Sequence, residues 1–332
     1  MSLHGQDYER RLVWRHFQGL VFEWACRLTT FLSLGILAVL LFSVGRQAIG
    51  WLDWGFLVRS NSYEPREAGI MAGLMGSLWL IGMTAIMSVP LGVGAAVYLE
   101  EYAKPTRMTK FIQLNISNLA GVPSIVYGIL GFTVFVRMFG LRDRPEEFIL
   151  NMGFTEIHFY LPLGRVVLSG ACTLTLLSLP VVIISAQEAL RSVPASLRHA
   201  SLALGATKWQ TVRHQVLPAA LPGILTGVIL SLSRAIGETA PLAVLGAAAQ
   251  LSFAPGRIEG VGDAIQNPTK VLQAPFDQFT AIPLQIYGWI NDPKPVFEHV
   301  AAAGIVVLLA VLMILNGAAI FIRQRFQKKI RW

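Results

Sequence analysis

Val166 to Gln187, VVLSGACTLTLLSLPVVIISAQ, runs for 22 residues without a charged side chain. A hydrocarbon layer of about 30 Å is crossed by roughly 20 helical residues, so this stretch is long enough to span a bilayer. Five further uncharged runs share the property: Leu28 to Gly45, Ala68 to Leu99, Phe111 to Val136, Val216 to Ser233 and Val300 to Ile322. Backbone groups in lipid must be satisfied within their own segment, which leaves the helix as the economical conformation for each run. The chain has 332 residues, 54% of them apolar and 14% charged, with a mean hydropathy of +0.57. That balance excludes a water-soluble globular enzyme. The expected fold is an all-α integral membrane protein with six transmembrane helices.

The net charge of +8 points to a lipid surface once the charges are placed along the chain, not to nucleic acid. If residues 1–27, 100–110, 188–215 and 323–332 face the cytoplasm, these short segments hold 16 of the 27 Lys and Arg residues and only 6 of the 19 acids. Basic residues favour the cytoplasmic side of short loops, so the expected topology has both termini inside. Thr239 to Gly256 is a seventh uncharged stretch, but Pro241 and Pro255 confine its strongly apolar part to Leu242–Phe253. Twelve residues suit a re-entrant or buried segment better than a crossing. A seventh span would also put Arg323, Arg325, Lys328, Lys329 and Arg331 outside.

The resulting organisation is a cytoplasmic segment 1–27, a first span with its external loop 28–66, a membrane domain 67–322 containing a cytoplasmic loop 188–218, and a basic tail 323–332. Asp7, Glu9 and Glu23 lie among the first basic residues and no A-x-A pattern follows the first run, so that run is expected to remain as an anchor. Cys26 and Cys172 are expected to pack as buried thiols, without a disulfide framework or metal cluster. Tyr287 and Trp289, in the run Ile282–Ile290, are expected at headgroup level.

In the loop 188–218, Leu190, Val193, Leu197, Ala200 and Leu204 recur at spacings of three and four, which places them on one helical face. Ser192 before Pro194 suits a helix start and Gly205 a left-handed stop. Thr207 and Gln210 form a candidate capping box that opens a second helix carrying Trp209, Val212 and Val216 on one side. The pattern by itself favours an amphipathic hairpin on the membrane surface; the sharper alternative is a docking element for a cytoplasmic partner.

Further along, Arg234 and Glu238 stand four residues apart at the end of the fifth run, at helical spacing for an ion pair. Charges inside a membrane are costly. One reading is a pair that neutralises itself within the bundle. The other is a cation lining an anion path, because the planar guanidinium matches an oxyanion edge and Glu238 can hold it in position. Pro123 falls inside the third run, where a missing amide donor kinks or opens a helix. Gly223 and Gly227 form a small-xxx-small contact surface.

Three strings together carry a family resemblance. Leu197–Gln210 with Val216-Leu217-Pro218 resembles the EAA loop of ABC-importer permeases, whose pattern E-A-A-x3-G-x9-I-x-L-P aligns on Gly205, Leu217 and Pro218. His199, Ser201 and Gln215 depart from it. Arg-Ala-Ile-Gly-Glu-Thr-Ala-Pro-Leu (234–242) is similar to the signature of phosphate-specific ABC permeases of the PstA type, as are Gly121–Gly128 and Ile282–Tyr287. The resemblance implies the type I importer (MetI-like) architecture, in the bacterial cytoplasmic (inner) membrane, with coupling helices that enter a cleft of an ATPase. It implies Arg234, Glu238 and Thr239 in the substrate path, and Leu197, His199, Ala200, Leu204, Gly205 and Ala206 at the ATPase contact. The partners implied are a second homologous permease, a cytoplasmic ATPase dimer that uses ATP and Mg, and an extracytoplasmic phosphate-binding protein. No G-x-x-x-x-G-K-[ST] string occurs, so this chain is expected to bind no cofactor or metal and to have no catalytic residue of its own. Permeation of another oxyanion such as molybdate or sulfate, or ion-coupled secondary transport, are the alternatives. An intramembrane enzyme is disfavoured by the absence of an H-E-x-x-H helix.

Overall fold

In the computed structural model, residues 3–138, 146–151, 156–161, 163–249, 251–257 and 266–328 are described. Of the charges named above, Lys329 and Arg331 lie outside them. Helix α1 (Leu3–Ala48) is continuous over 46 residues, about 69 Å at the helical rise, so it is far longer than one crossing. After the short α2 (Trp54–Val58), α3 (Met71–Val97) continues into a π-helical turn, Tyr98–Tyr102. Helices α4 (Arg107–Ala120) and α5 (Ser124–Gly131) follow, the latter extended by a second π-helical turn to Val136. Strands β1 (Glu146–Asn151) and β2 (Glu156–Leu161) pair antiparallel, with Phe148 opposite Phe159.

Helix α6 spans Val167–Arg191 and α7 Ala195–Ala203. Helix α8 (Lys208–Thr211) passes through a third π-helical turn, Val212–Val216, into α9 (Leu217–Gly237). The chain ends in α10 (Ala240–Leu245), α11 (Pro268–Gln273), α12 (Ile282–Ile290) and α13 (Phe297–Lys328). Among the described residues, five helices are long and apolar enough to cross a membrane, and α4 with α5 makes a sixth candidate. The hairpin β1–β2 is an addition that the apolar pattern does not announce.

The third run is not a straight span: α4 and α5 meet at 104°. Val122 precedes Pro123, which biases it away from helix, and Pro123 brings no N–H to the turn. Tyr127 Oη donates to the Leu119 carbonyl at 2.8 Å, so an acceptor at the end of α4 regains a partner. The bent pair is still a crossing of the bundle. Helices α3 and α6 both finish where Glu100 meets Arg191 and Glu101 meets Arg198, so the chain must return to the opposite end between them.

Three apolar clusters fill the bundle. At the loop end, Ala96, Leu99, Val182, Ile183, Leu190, Val216 and Ile224 join α3, α6 and α9. Gly223 and Gly227 fit α9 against α6, facing Ala189 and Ser185, so this glycine pair serves packing within the chain. The middle cluster gathers Leu80, Tyr127, Leu174, Leu242, Leu245 and Phe279. At the far end, Phe56, Ile70, Trp289, Phe297 and Val300 close around α12.

Helix α12 is held by polar ties as well. Gln285 donates to the Gly69 carbonyl at 2.8 Å and accepts from the Gly73 amide at 3.1 Å. Trp289 is buried rather than placed at a surface, because its Nε1 reaches Asn61 Oδ1 at 3.0 Å; Tyr287 is exposed. Large apolar side chains remain uncovered along α1 and α13, including Phe31, Phe42, Met313 and Phe321. Such a belt belongs in hydrocarbon. Cys26 is exposed on α1 and Cys172 is half-buried, so only the second fits the packing role expected for both.

Candidate functional site: an interrupted helix and a helix–turn–helix loop

Helix α9 stops at Gly237, and Glu238 leaves the helix with φ −77° and ψ 112°. The expected ion pair forms across this ending. Arg234 Nε lies 3.3 Å from Glu238 Oε1, with the arginine side chain 56% exposed and the carboxylate 17%. Arg234 sits in the last turn of α9, where the carbonyl end of the helix favours a cation. Among the described residues, Glu238 is its hydrogen-bonding partner, so the two terminal nitrogens present a free planar edge. Such an edge can donate to two oxygens of an oxyanion side by side.

Thr239 then starts α10, and Gly246 ends it in the left-handed region at φ +86°. Helix α10 has six residues, with Leu242 and Leu245 buried, so the helical part of the seventh apolar stretch is too short for a crossing. It rests on α5. A Cβ on Gly128 would come within 2.7 Å of the Pro241 Cα, which brings the string 121–128 and the string 234–242 into direct contact.

The loop between α6 and α9 folds as helix, left-handed turn, helix. Gly205 has φ +83°. The Ala206 amide bonds the Ser201 carbonyl and the Gly205 amide bonds the Leu202 carbonyl, the paired closure that a glycine at this position permits. Thr207 and Gln210 cap each other reciprocally. Ser201 and Thr211 join the two arms through their hydroxyls at 2.9 Å.

The apolar stripe divides where the helix breaks. Ser192 closes α6 rather than opening the next helix, and Pro194 is the residue that precedes α7. Leu190 and Val193 are buried in the bundle and Leu197 is half-buried, whereas His199 and Ala200 are exposed and Leu204 is 90% exposed. On the second arm Val212 and Val216 are buried but Trp209 is exposed, so these three do not share one side. Leu202, Leu204 and Trp209 thus form the uncovered apolar tip of the loop, with Ala206 half-buried behind it.

Sequence reasoning passed over Glu100, Glu101 and Tyr102 as ordinary inner-side charges and an aromatic. The structure puts them against the loop. Arg191 makes a two-pronged contact with Glu100, Arg198 Nη2 lies 2.8 Å from Glu101 Oε1, and Lys208 Nζ stands 5.2 Å from the Tyr102 ring centre. Two adjacent acids on an otherwise basic side were the available signal.

The family model for the inner membrane component of binding-protein-dependent transport systems matches residues 88–332. This chain belongs to that family. The permease is 34% identical over 275 residues to the phosphate transport system permease protein PstA 1 of Mycobacterium tuberculosis, covering 82% of this chain and 76% of that one. That relationship makes it a PstA-type ABC permease. It is also 34% identical over 194 residues to the probable ABC transporter permease protein YqgI of Bacillus subtilis, a match covering 58% of each chain. A crystal structure of a bacterial ABC transporter involved in import of the acidic polysaccharide alginate superimposes with a TM-score of 0.56 at 14% identity, covering 94% of the permease and 99% of that chain. At that identity the likeness concerns the fold, a multi-pass helical membrane subunit.

Proposed function

We propose that the permease is half of the translocation pathway of an ATP-driven inorganic phosphate importer. The observation that carries this reading is Arg234, an exposed guanidinium at the interrupted end of α9 with one carboxylate to orient it. Phosphate arriving at that edge takes charge-assisted bonds from the two terminal nitrogens while Glu238 orients the guanidinium through Nε, and leaves when Glu238 competes for the whole guanidinium. Thr239, beside the pair, adds a hydroxyl to the path. The Mycobacterium tuberculosis relative named for phosphate transport supports the choice of anion.

The uncovered tip of Leu202, Leu204 and Trp209, with His199, Ala200, Gly205 and Ala206 around it, is the surface offered to a separate ATPase. An apolar tip on a loop rich in cations needs a protein to cover it. ATP and Mg belong to that partner, and this chain contributes no catalytic group. The further partners are a second homologous permease and an extracytoplasmic phosphate-binding protein, in the bacterial cytoplasmic membrane with both termini inside.

The test is co-purification after mild solubilisation. Recovery of an ATPase and a second permease with this chain is the expected result. Recovery of this chain alone, in a state that still moves phosphate, would replace the proposal with a secondary transporter.

A further inference from the structure

We propose that Glu100, Glu101 and Tyr102 form a rigid joint through which displacement of the helix–turn–helix loop is carried into α3. The inference rests on the reading of that loop as the ATPase contact, and adds the residues that connect it to the bundle. Three consecutive side chains of one π-helical turn each hold a different segment. Glu100 holds the end of α6 through Arg191, with Nε at 2.9 Å from one carboxylate oxygen and Nη2 on the other. Glu101 holds α7 through Arg198 Nε and Nη2, at 3.1 and 2.8 Å. Tyr102 lies under Lys208 of α8. The π-helical turn is closed by the Ala103 amide bonding the Tyr98 carbonyl at 2.8 Å, and turns of this kind recur at functional sites.

The central link is the least exposed to solvent. Side chains of Arg198 and Glu101 are 23% and 10% exposed, against 58% for Arg191. Arg198 also donates to the carbonyls of Leu190 and Val193 at 2.8 and 2.7 Å. One guanidinium therefore binds α7 to the last turn of α6 and to the end of α3 together. Behind it, Ala96, Leu99, Leu190 and Val193 are packed and buried. The loop faces a partner at its tip and the joint at its base, so a push on Leu204 cannot move α7 without loading Glu101.

The joint is a positioning device, and its test reads coupling rather than activity alone. The complete complex, with its ATPase and binding protein, is reconstituted in vesicles, and phosphate moved is measured per ATP hydrolysed. Glu101→Gln keeps shape and removes charge, while Glu101→Asp keeps charge and shortens its reach. The expected result is an assembled complex in which Glu101→Gln lowers phosphate per ATP about tenfold while hydrolysis continues, with Glu101→Asp between it and the parent. An assembled Glu101→Gln complex with the parental ratio would overturn the joint, even if both rates fell together. Failure of both variants to assemble would overturn it too, making the contact a requirement of the fold. A parental complex that moves no phosphate with ATP would instead refute the proposed function.

Discussion

Gly128 of α5 lies so close to Pro241 of α10 that an added Cβ would stand 2.7 Å from the Pro241 Cα and 2.9 Å from its carbonyl oxygen. This contact seats the short segment after Glu238, and with it the interruption that frees Arg234. Gly128→Ala should therefore push α10 away from α5. Overpacking of this kind costs about 1–3 kcal/mol. A lower midpoint of thermal unfolding in detergent, with weaker transport, is the expected outcome. An unchanged midpoint would mean the contact is slack.

At Gly205 nothing lies within 4 Å of an added Cβ, so the cost of a side chain there comes from the left-handed backbone alone. Gly205→Val should cost about 1–2 kcal/mol locally and redirect α8. The variant should still insert in the membrane but lose ATPase recruitment, read by co-purification. Recruitment at the parental level, with ATP-driven uptake intact, would show that the loop is not the coupling element.

The long spans, the left-handed stop at Gly205, the Thr207–Gln210 box and the Arg234–Glu238 pair were legible because each is a local matter of hydropathy, φ or i,i+4 spacing. The 104° bend was half legible: Pro123 marked its place, but its angle is set by α5 packing under α10. The split of Leu190, Val193, Leu197, Ala200 and Leu204 was not legible, since periodicity is blind to a break at Ser192–Pro194 that reverses which side is covered. Trp289 read as a headgroup aromatic because its partner, Asn61, lies 228 residues away in sequence. The same distance problem hid Glu100 and Glu101, whose arginines come 91 and 97 residues later.

The charge balance predicts that Tyr63 and Ser196, both exposed, lie on opposite sides of the membrane. Tyr63→Cys should react with an impermeant thiol reagent in intact cells and Ser196→Cys should not, in a chain with Cys26 and Cys172 replaced. Labelling of Ser196→Cys alone would invert the topology.

Removing the cation should separate assembly from transport. Arg234→Gln loses charge-assisted bonds worth about 1.5–3 kcal/mol, so uptake should fall roughly ten- to hundredfold while the complex remains intact. Arg234→Lys should recover only part, because an ammonium lacks the planar fork. The double change Arg234→Gln with Glu238→Gln leaves no unpaired charge. Near-parental uptake in that assembled double variant would make the pair bundle architecture.

The central claim is met most directly by phosphate uptake into vesicles holding the permease, its homologous partner and the ATPase, with binding protein on the receiving side. The account predicts phosphate accumulation that requires ATP, and that excess sulfate or molybdate does not suppress. Accumulation driven by an ion gradient without ATP, or uptake of sulfate or molybdate in place of phosphate, would contradict it.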